Sequence, residues 1–124
     1  MQQLYFHPAW EKTIGEQDRQ LIETLFDTTY TQVDDVMMSP VLRVAFNHQQ
    51  QLLVTALVHN FTHHSTTFSE RLVAIRCDLY VEEQVMTIPQ LTIAPFTSMP
   101  WTFMFPANEL HNQLDIDKLI LDID

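Results

Sequence analysis

The sequence predicts a mainly β protein, an antiparallel Ig-like β-sandwich of about six to eight strands that follows one N-terminal α-helix. Three observations predict this fold. One early stretch has apolar residues at helical spacing, and the sequence from about residue 33 to 124 has short apolar runs at a period of two, separated by turn formers. Strands and helices do not alternate, which argues against a parallel βαβ arrangement.

Length and charge set the size of the domain and the class of its partners. The chain has 124 residues, of which 46% are apolar. A chain of this length buries roughly two thirds of its extended surface, so we predict a single domain over residues 1–124 that folds without disulfides or metal. It carries 16 acidic and 6 basic side chains, a net charge of −10. Such a surface repels phosphate backbones, so nucleic acid is not an expected partner.

Several functional classes require residues that this sequence lacks. Gly15 is the only glycine, whereas dinucleotide fingerprints, phosphate-binding loops and nucleophile elbows all need glycine near the ligand or in the turn. Cys77 is the only cysteine and therefore forms no internal disulfide. No window approaches the ~20 apolar residues of a membrane span, and the start does not resemble a secretory signal. We therefore expect a cytoplasmic protein.

The predicted helix covers about residues 14–27. Thr13 followed by Glu16 has the spacing of a capping box at its start. Upstream, Pro8 argues against regular helix, so Trp10 is expected to anchor the helix start against the core. The residues that would face the core at helical spacing are Leu21, Ile22, Leu25 and Phe26.

A hairpin comes first among the predicted strands. Residues 41–46 and 52–58 are rich in β formers, and the polar residues 47–51 have the length of a hairpin connection. Both faces of the 52–58 run are apolar, which predicts a central strand.

The later strands are predicted from their boundaries. Runs at 72–80 and 84–88 flank Glu82-Glu83, which we predict to be the turn. Runs at 91–93 and 101–105 lie between prolines at positions 89, 95, 100 and 106, which are expected to end them. The last segment, 114–124, alternates apolar and acidic residues. This pattern favours a final edge strand, and a partner-docking tail is the alternative.

Candidate chemistry is limited to one histidine cluster. His59, His63 and His64 lie within six positions and are potential zinc or copper ligands, but the cysteines of structural zinc sites are missing. A metal-binding or small-ligand-binding β-sandwich is therefore the alternative function. Neither the serines nor Cys77 lie in a nucleophile motif. We therefore predict that the protein is not an enzyme, that it binds no cofactor, and that it has no catalytic, cofactor-binding or metal site.

Apolar side chains beyond the needs of a core suit recognition of a peptide, in a groove or by strand addition. Each of these residues, taken singly, is more typical of the core, and Trp10 and Trp101 in particular are expected to be substantially buried. The set consists of Trp10, Phe61, Phe68, Met99, Trp101 and Met104.

Three segments carry a family resemblance. They are the opening Phe-His-Pro-x-Trp-Glu at residues 6–11, the β segment at 53–60 and the closing Pro-Trp-x-Phe-x-Phe at residues 100–105. In this order, over about Phe6 to Leu110, they resemble the SLAP domain of Firmicutes, the repeat of accessory Sec system S-layer assembly proteins. The family commonly has arginine at the positions of His59 and Met99 and a glycine in the turn after its middle strand.

The resemblance implies a protein-interaction role. Members of the family resemble cytosolic helpers that act beside the accessory Sec ATPase in S-layer protein export, with no enzymatic activity assigned to the domain. For this chain it implies a non-enzymatic adaptor or chaperone-like factor whose partner is the accessory Sec ATPase or an S-layer precursor. Assembly proteins of the family tend to carry the repeat in duplicate, so a homodimer would restore the pair.

Overall fold

The computed structural model describes residues 2–28 and 34–124. Within these ranges the protein is mainly β, as predicted. Its elements are β1 (Gln3–Leu4), α1 (Pro8–Thr13), α2 (Glu16–Asp27), β2 (Val36–Met38), β3 (Arg43–Phe46), β4 (Leu52–Asn60), β5 (Thr66–Cys77), β6 (Tyr80–Ile93), β7 (Thr97–Phe105), 3₁₀ helices at Glu109–Gln113 and Ile116–Lys118, and β8 (Ile120–Ile123).

The strands form two sheets. Sheet A has the order β1-β7-β4-β2, and β3 also pairs with β4; sheet B has the order β6-β5-β8. The described pairs are antiparallel except the short one between β1 and β7. The predicted first hairpin is confirmed, because β3 pairs with β4 from Phe46 and Leu52 at the loop to Arg43 and Thr55. β4 is central in sheet A, also as predicted.

The two sheets share one hydrophobic core. Alternate residues of β4, such as Val54 and Ala56, are fully buried and belong to the same core cluster as Val73 and Ile75 of β5. Phe68 of sheet B and Phe103 of sheet A meet with ring centroids 5.8 Å apart. The opposite face of β4 is covered too, because the buried Ile22 of α2 lines a cleft together with Thr55.

Among the described residues, two helices lie between β1 and β2, where a single helix was predicted. Pro8 does not prevent helix: it occupies the first turn of α1, where no intrahelical bond needs its missing N–H, and His7 Nδ1 accepts the Ala9 N–H as a cap. The predicted capping box is wrong. The Thr13 hydroxyl donates to the Ala9 carbonyl inside α1, and Gly15 is the N-cap of α2. α2 itself ends at the predicted residue, Asp27.

The turn predicted at Glu82-Glu83 is wrong. β5 and β6 are joined by Asp78 and Leu79, with Cys77 paired to Tyr80. Asp78 has φ of 52°, and aspartate tolerates this left-handed conformation because its short polar side chain can bond locally. Glu82 and Glu83 therefore lie inside β6.

Two prolines lie within strands instead of ending them. Pro89 is in β6, an edge strand of sheet B, where the pairing with β5 shifts register, so 91–93 is the end of β6 and not a separate strand. Pro100 lies opposite Leu57, whose N–H and C=O bond to Ser39 on the other side of β4. This alternation turns the backbone nitrogen of Pro100 away from β4, so the ladder loses no bond.

Part of the segment 114–124 forms the predicted edge strand: Ile120–Ile123 is β8, whereas Ile116–Lys118 is a 3₁₀ helix. β8 pairs with β5 and is an edge strand of sheet B, and its Asp122 forms an ion pair with Arg76 at 2.6 Å. The predicted start of the sandwich at residue 33 lies outside the described residues. Trp10 and Trp101 are both partly buried, and Trp101 packs against the core and against the His7 ring, with ring centroids 5.7 Å apart.

Candidate functional site

The structure separates the three histidines of the alternative metal site. His59 is 5% exposed in β4 and stacks on Phe61 at 5.0 Å between ring centroids. His63 and His64 are exposed on the following loop, where their rings lie 4.4 Å apart. Over residues 2–28 and 34–124, no three His, Cys, Asp or Glu side chains are grouped so that they could hold a metal ion.

His59 instead joins β4 to β7. Its Nδ1 lies 2.6 Å from Ser98 Oγ, and Gln2 Nε2 donates to the same oxygen at 3.0 Å. Burial lowers the pKa of His59 to about 4, so the ring is neutral at pH 7. Although the contact resembles a nucleophile and its base, Ser98 is 0% exposed and a substrate has no access to it.

Asn60 fixes the end of β4 to the neighbouring loop and to β6. Its side-chain amide donates to the carbonyls of His64, Ile93 and Ala94 at 2.8, 3.0 and 3.1 Å. Its Oδ1 accepts the N–H and the hydroxyl of Thr62 at 3.0 and 2.7 Å. Because Asn60 is fully buried, each of these bonds replaces water that the interior excludes.

Sequence analysis missed a second polar cluster, between β6 and the 3₁₀ helix Glu109–Gln113. His111 Nε2 lies 2.6 Å from Glu82 Oε1, and the Tyr80 hydroxyl donates to the same oxygen at 2.7 Å. Gln84 Nε2 donates to Oε2 at 3.0 Å. The His111 side chain is completely buried, and its Nδ1 has no hydrogen-bond partner among the described residues.

This cluster keeps Glu82 ionised. Burial of the carboxyl favours its neutral form, but the hydrogen bonds from His111, Tyr80 and Gln84 outweigh burial and lower the pKa of Glu82. Burial, with the adjacent Glu82, raises the pKa of Tyr80 to about 12. Positions 80, 82 and 84 are spaced by two, which would place their polar side chains on one face of a strand. The turn predicted at Glu82-Glu83 concealed this pattern.

The apolar residues singled out from the sequence mostly belong to the core. Phe61, Phe68 and Met99 are buried, whereas Met104 is 52% exposed. The most exposed apolar side chains lie elsewhere, on the β5–β6 turn and on the two edge strands of sheet B. They are Leu79, Val85 and Ile120, with 100%, 66% and 57% of their surface exposed.

A groove of about 760 Å³ runs between residues 38–44 and residues 116–122, and we call it the edge groove. One wall is the β2–β3 edge of sheet A, and the other is β8 with the segment before it. Ile116 and Ile120 supply exposed apolar surface, and Lys118 is exposed beside them. Arg43 also lines the groove and forms an ion pair with Asp18 of α2.

The fold and these contacts define a small β-rich domain in which the buried polar side chains join strands and loops. The SLAP domain model matches residues 4–122, nearly the whole chain, and the chain belongs to this family. The resemblance found in the sequence is thereby confirmed. Neither the curated proteins nor the solved structures include a match. Within the described residues, no helix has the length and apolar character to span a membrane.

Replacement of Asn60 by alanine should lower the free energy of unfolding by about 3 kcal/mol, because it leaves several buried carbonyl and amide groups unsatisfied. Urea unfolding at pH 7 measures this loss. Asn47→Ala is the matched control, since Asn47 makes similar local bonds in the more exposed β3–β4 loop, and it should cost about 1 kcal/mol. Equal losses in both variants would contradict the structural role given to Asn60.

The buried His59 should make stability depend on pH. Because its pKa is 6.5 unfolded and about 4 folded, the unfolded chain binds the proton first as the pH falls. Stability should therefore decrease between pH 6.5 and 4, by roughly 3 kcal/mol from this group. His59→Gln should remove that part of the pH dependence, whereas His48→Gln, on an exposed loop, should keep it. Parallel curves for the wild type and His59→Gln would exclude the effect.

The lowered pKa of Glu82 also predicts that stability decreases as the pH falls, over a more acidic range than for His59. Its stabilising contribution is complete above the unfolded pKa of 4.5 and is lost as the pH falls through the lower folded pKa. Glu82→Gln should cost about 2 kcal/mol at pH 7, and the difference from the wild type should shrink below pH 4.5. Glu83→Gln, at the exposed neighbouring position, is the control. Thermal unfolding at several pH values measures both variants, and a cost of Glu82→Gln that stays constant with pH would refute the lowered pKa of Glu82.

Proposed function

We propose that this SLAP domain is a non-enzymatic, cytoplasmic protein-interaction module in accessory Sec-dependent export of S-layer proteins. It acts as an adaptor or chaperone-like factor for the accessory Sec ATPase or for an S-layer precursor. The observation that carries the proposal is the family match over residues 4–122.

The side chains support an interaction role in preference to catalysis. Both members of the Ser98–His59 pair are buried, and in the Glu82–His111 pair the His111 side chain is 0% exposed and the Glu82 side chain 13% exposed. A catalytic group must reach a substrate, and these groups face the interior. What the described surface offers is apolar side chains at strand edges, the kind of surface that proteins use to bind other chains.

The proposed assembly includes a second copy of the domain. A homodimer would supply the two repeats that the family resemblance implies. Separately, we propose that the two sheets form a sandwich of the Ig-like type. Sedimentation equilibrium distinguishes a dimer from a monomer directly.

Affinity capture with light crosslinking tests the export role. The tagged chain is expressed in its own bacterium and captured with and without ATP, and the recovered proteins are compared with those on an unrelated acidic protein of similar size. Enrichment of the accessory Sec ATPase or an S-layer precursor is the expected result.

The control protein matters because a net charge of −10 attracts basic proteins without specificity. Enrichment of neither component over this control, in either nucleotide condition, would contradict the export role.

A further inference from the structure

We propose that the cleft between the N-terminal helices and sheet A binds a tyrosine side chain of a partner protein. We call it the helix cleft and define it by Trp10, Leu21, Ile22, Leu42, Thr55 and Thr102. The proposal rests on the interaction role proposed above and names the residue that the partner inserts. Four properties of the cleft support it: its size, its apolar walls, its two hydroxyl groups and the neutral charge of its rim.

The helix cleft has the size of one aromatic ring. Its volume is about 150 Å³, and a cavity of roughly this volume holds a benzene-sized molecule. Pockets that enclose a drug-sized ligand are larger, about 300–1,000 Å³. The volume therefore suits a single side chain that a partner inserts, as anchor residues do at the centres of protein interfaces.

Apolar side chains from both layers form the walls of the cleft. Ile22 of α2 is buried, and Trp10 of α1 and Leu42 before β3 are partly buried. An inserted ring would bury apolar surface against them, and the Trp10 indole can form an aromatic pair with it. Leu21 is 48% exposed and Arg43 is exposed as well, so a partner can reach the cleft from solvent.

Two threonine hydroxyls line the cleft on the side of sheet A. Val54 and Ala56 belong to the core, so strand alternation turns Thr55 toward the helices. Thr102 of β7 is the cross-strand partner of Thr55. Their Oγ1 atoms lie 2.7 Å apart and, among the described residues, bond only to each other. This bond uses one of the two hydroxyl protons, so the other proton and the free lone pairs can bond to a phenol hydroxyl, which both donates and accepts.

The charges at the rim favour a neutral occupant. Asp18 of α2 and Arg43 of β3 also line the cleft, and they form an ion pair with each other. Because the two charges compensate each other, the rim gives no net attraction to a cationic or anionic side chain, whose burial would cost desolvation energy. A neutral ring with one hydroxyl matches both the apolar walls and the threonine pair, which selects tyrosine over phenylalanine and over charged residues.

NMR titration of the full, ¹⁵N-labelled chain tests the proposal. The probe is the capped peptide Ala-Ala-Tyr-Ala-Ala, and the matched peptides have phenylalanine or alanine in place of tyrosine. The chain has two tryptophans, and the indole N–H signal of Trp10 should shift while that of Trp101, outside the cleft, should not. The phenylalanine peptide should bind about tenfold more weakly because it lacks the hydroxyl, and the alanine peptide should not bind.

Two variants locate the bound side chain. Leu42→Phe fills the cleft and should weaken binding of the tyrosine peptide about tenfold, whereas Leu79→Phe, the same change on the fully exposed β5–β6 turn, should leave it unchanged. Thr55→Val combined with Thr102→Val keeps the shape of the cleft and removes both hydroxyls, so the tyrosine and phenylalanine peptides should bind equally. Urea unfolding establishes that each variant is folded, and the threonine variant decides the matter if Leu42→Phe does not fold.

Several results would overturn the proposal. They are no binding of the tyrosine peptide to the folded protein, equal losses in the two phenylalanine variants, and an unchanged preference for tyrosine in the threonine variant. Binding of free p-cresol without binding of the peptide would show that the cleft takes a small phenol and not a partner's side chain. A Trp10 signal that shifts with protein concentration, and that the change of the exposed Tyr5→Ala abolishes, would assign the cleft to a second copy.

The two proposals fail in different ways. Binding of the tyrosine peptide without capture of the accessory Sec ATPase or an S-layer precursor would contradict the export role and support the helix cleft. Capture of either component by a protein that binds no tyrosine peptide would contradict the helix cleft alone.

Discussion

The structure depends on the burial of β4 on both faces. From Ala56 to Asn60 every residue is buried, so neither side of the strand can face water. One side packs on sheet B, and the other is covered through α2, whose Ile22 is 3% exposed. α2 therefore contributes to the burial of β4 on the side opposite sheet B. Burying a strand so completely gains hydrophobic free energy, but it also forces any polar residue on it to find a partner.

Polar residues inside the fold meet that requirement with partners that mostly lie far away in the sequence. His59 is satisfied by Ser98 of β7, and Asn60 reaches carbonyls at the end of β6 and in the next loop. Glu82 and the Nε2 of His111 do the same at the other sheet, whereas His111 Nδ1 has no hydrogen-bond partner among the described residues. The His59–Ser98 and Glu82–His111 contacts each join two segments that are far apart in the sequence. These side chains therefore stabilise the packing of the segments against each other. Burial lowers the pKa of His59, whereas hydrogen bonds lower the pKa of Glu82 against the effect of burial, so the two shifts have different physical causes.

Local patterns predicted what depends on neighbours in sequence. Alternation predicted β3, β4 and their loop, and the apolar stripe predicted the body and the end of α2. Positions governed by tertiary geometry were missed. Pro100 is tolerated in β7 because its nitrogen faces away from β4, a fact that requires the register with Leu57. Two adjacent acids predicted a turn at Glu82-Glu83, whereas the partner of Glu82 is His111, 29 residues away. The Asn60 contacts and the edge groove likewise form only when the sheets pack together.

The edge strands of the two sheets differ in what hinders their pairing with another chain. β6 carries Pro89 and a register shift, two features that obstruct the addition of another strand. β1 covers β7 at one end of sheet A. By contrast, β2 and β8 have no proline between Val36 and Met38 or between Ile120 and Ile123. They are protected differently, because they are only three and four residues long and a very short edge strand gives another chain few backbone groups to pair with. Asp122 pairs with Arg76, and the neighbouring Leu121 is only 2% exposed, so β8 offers little free backbone to an incoming strand.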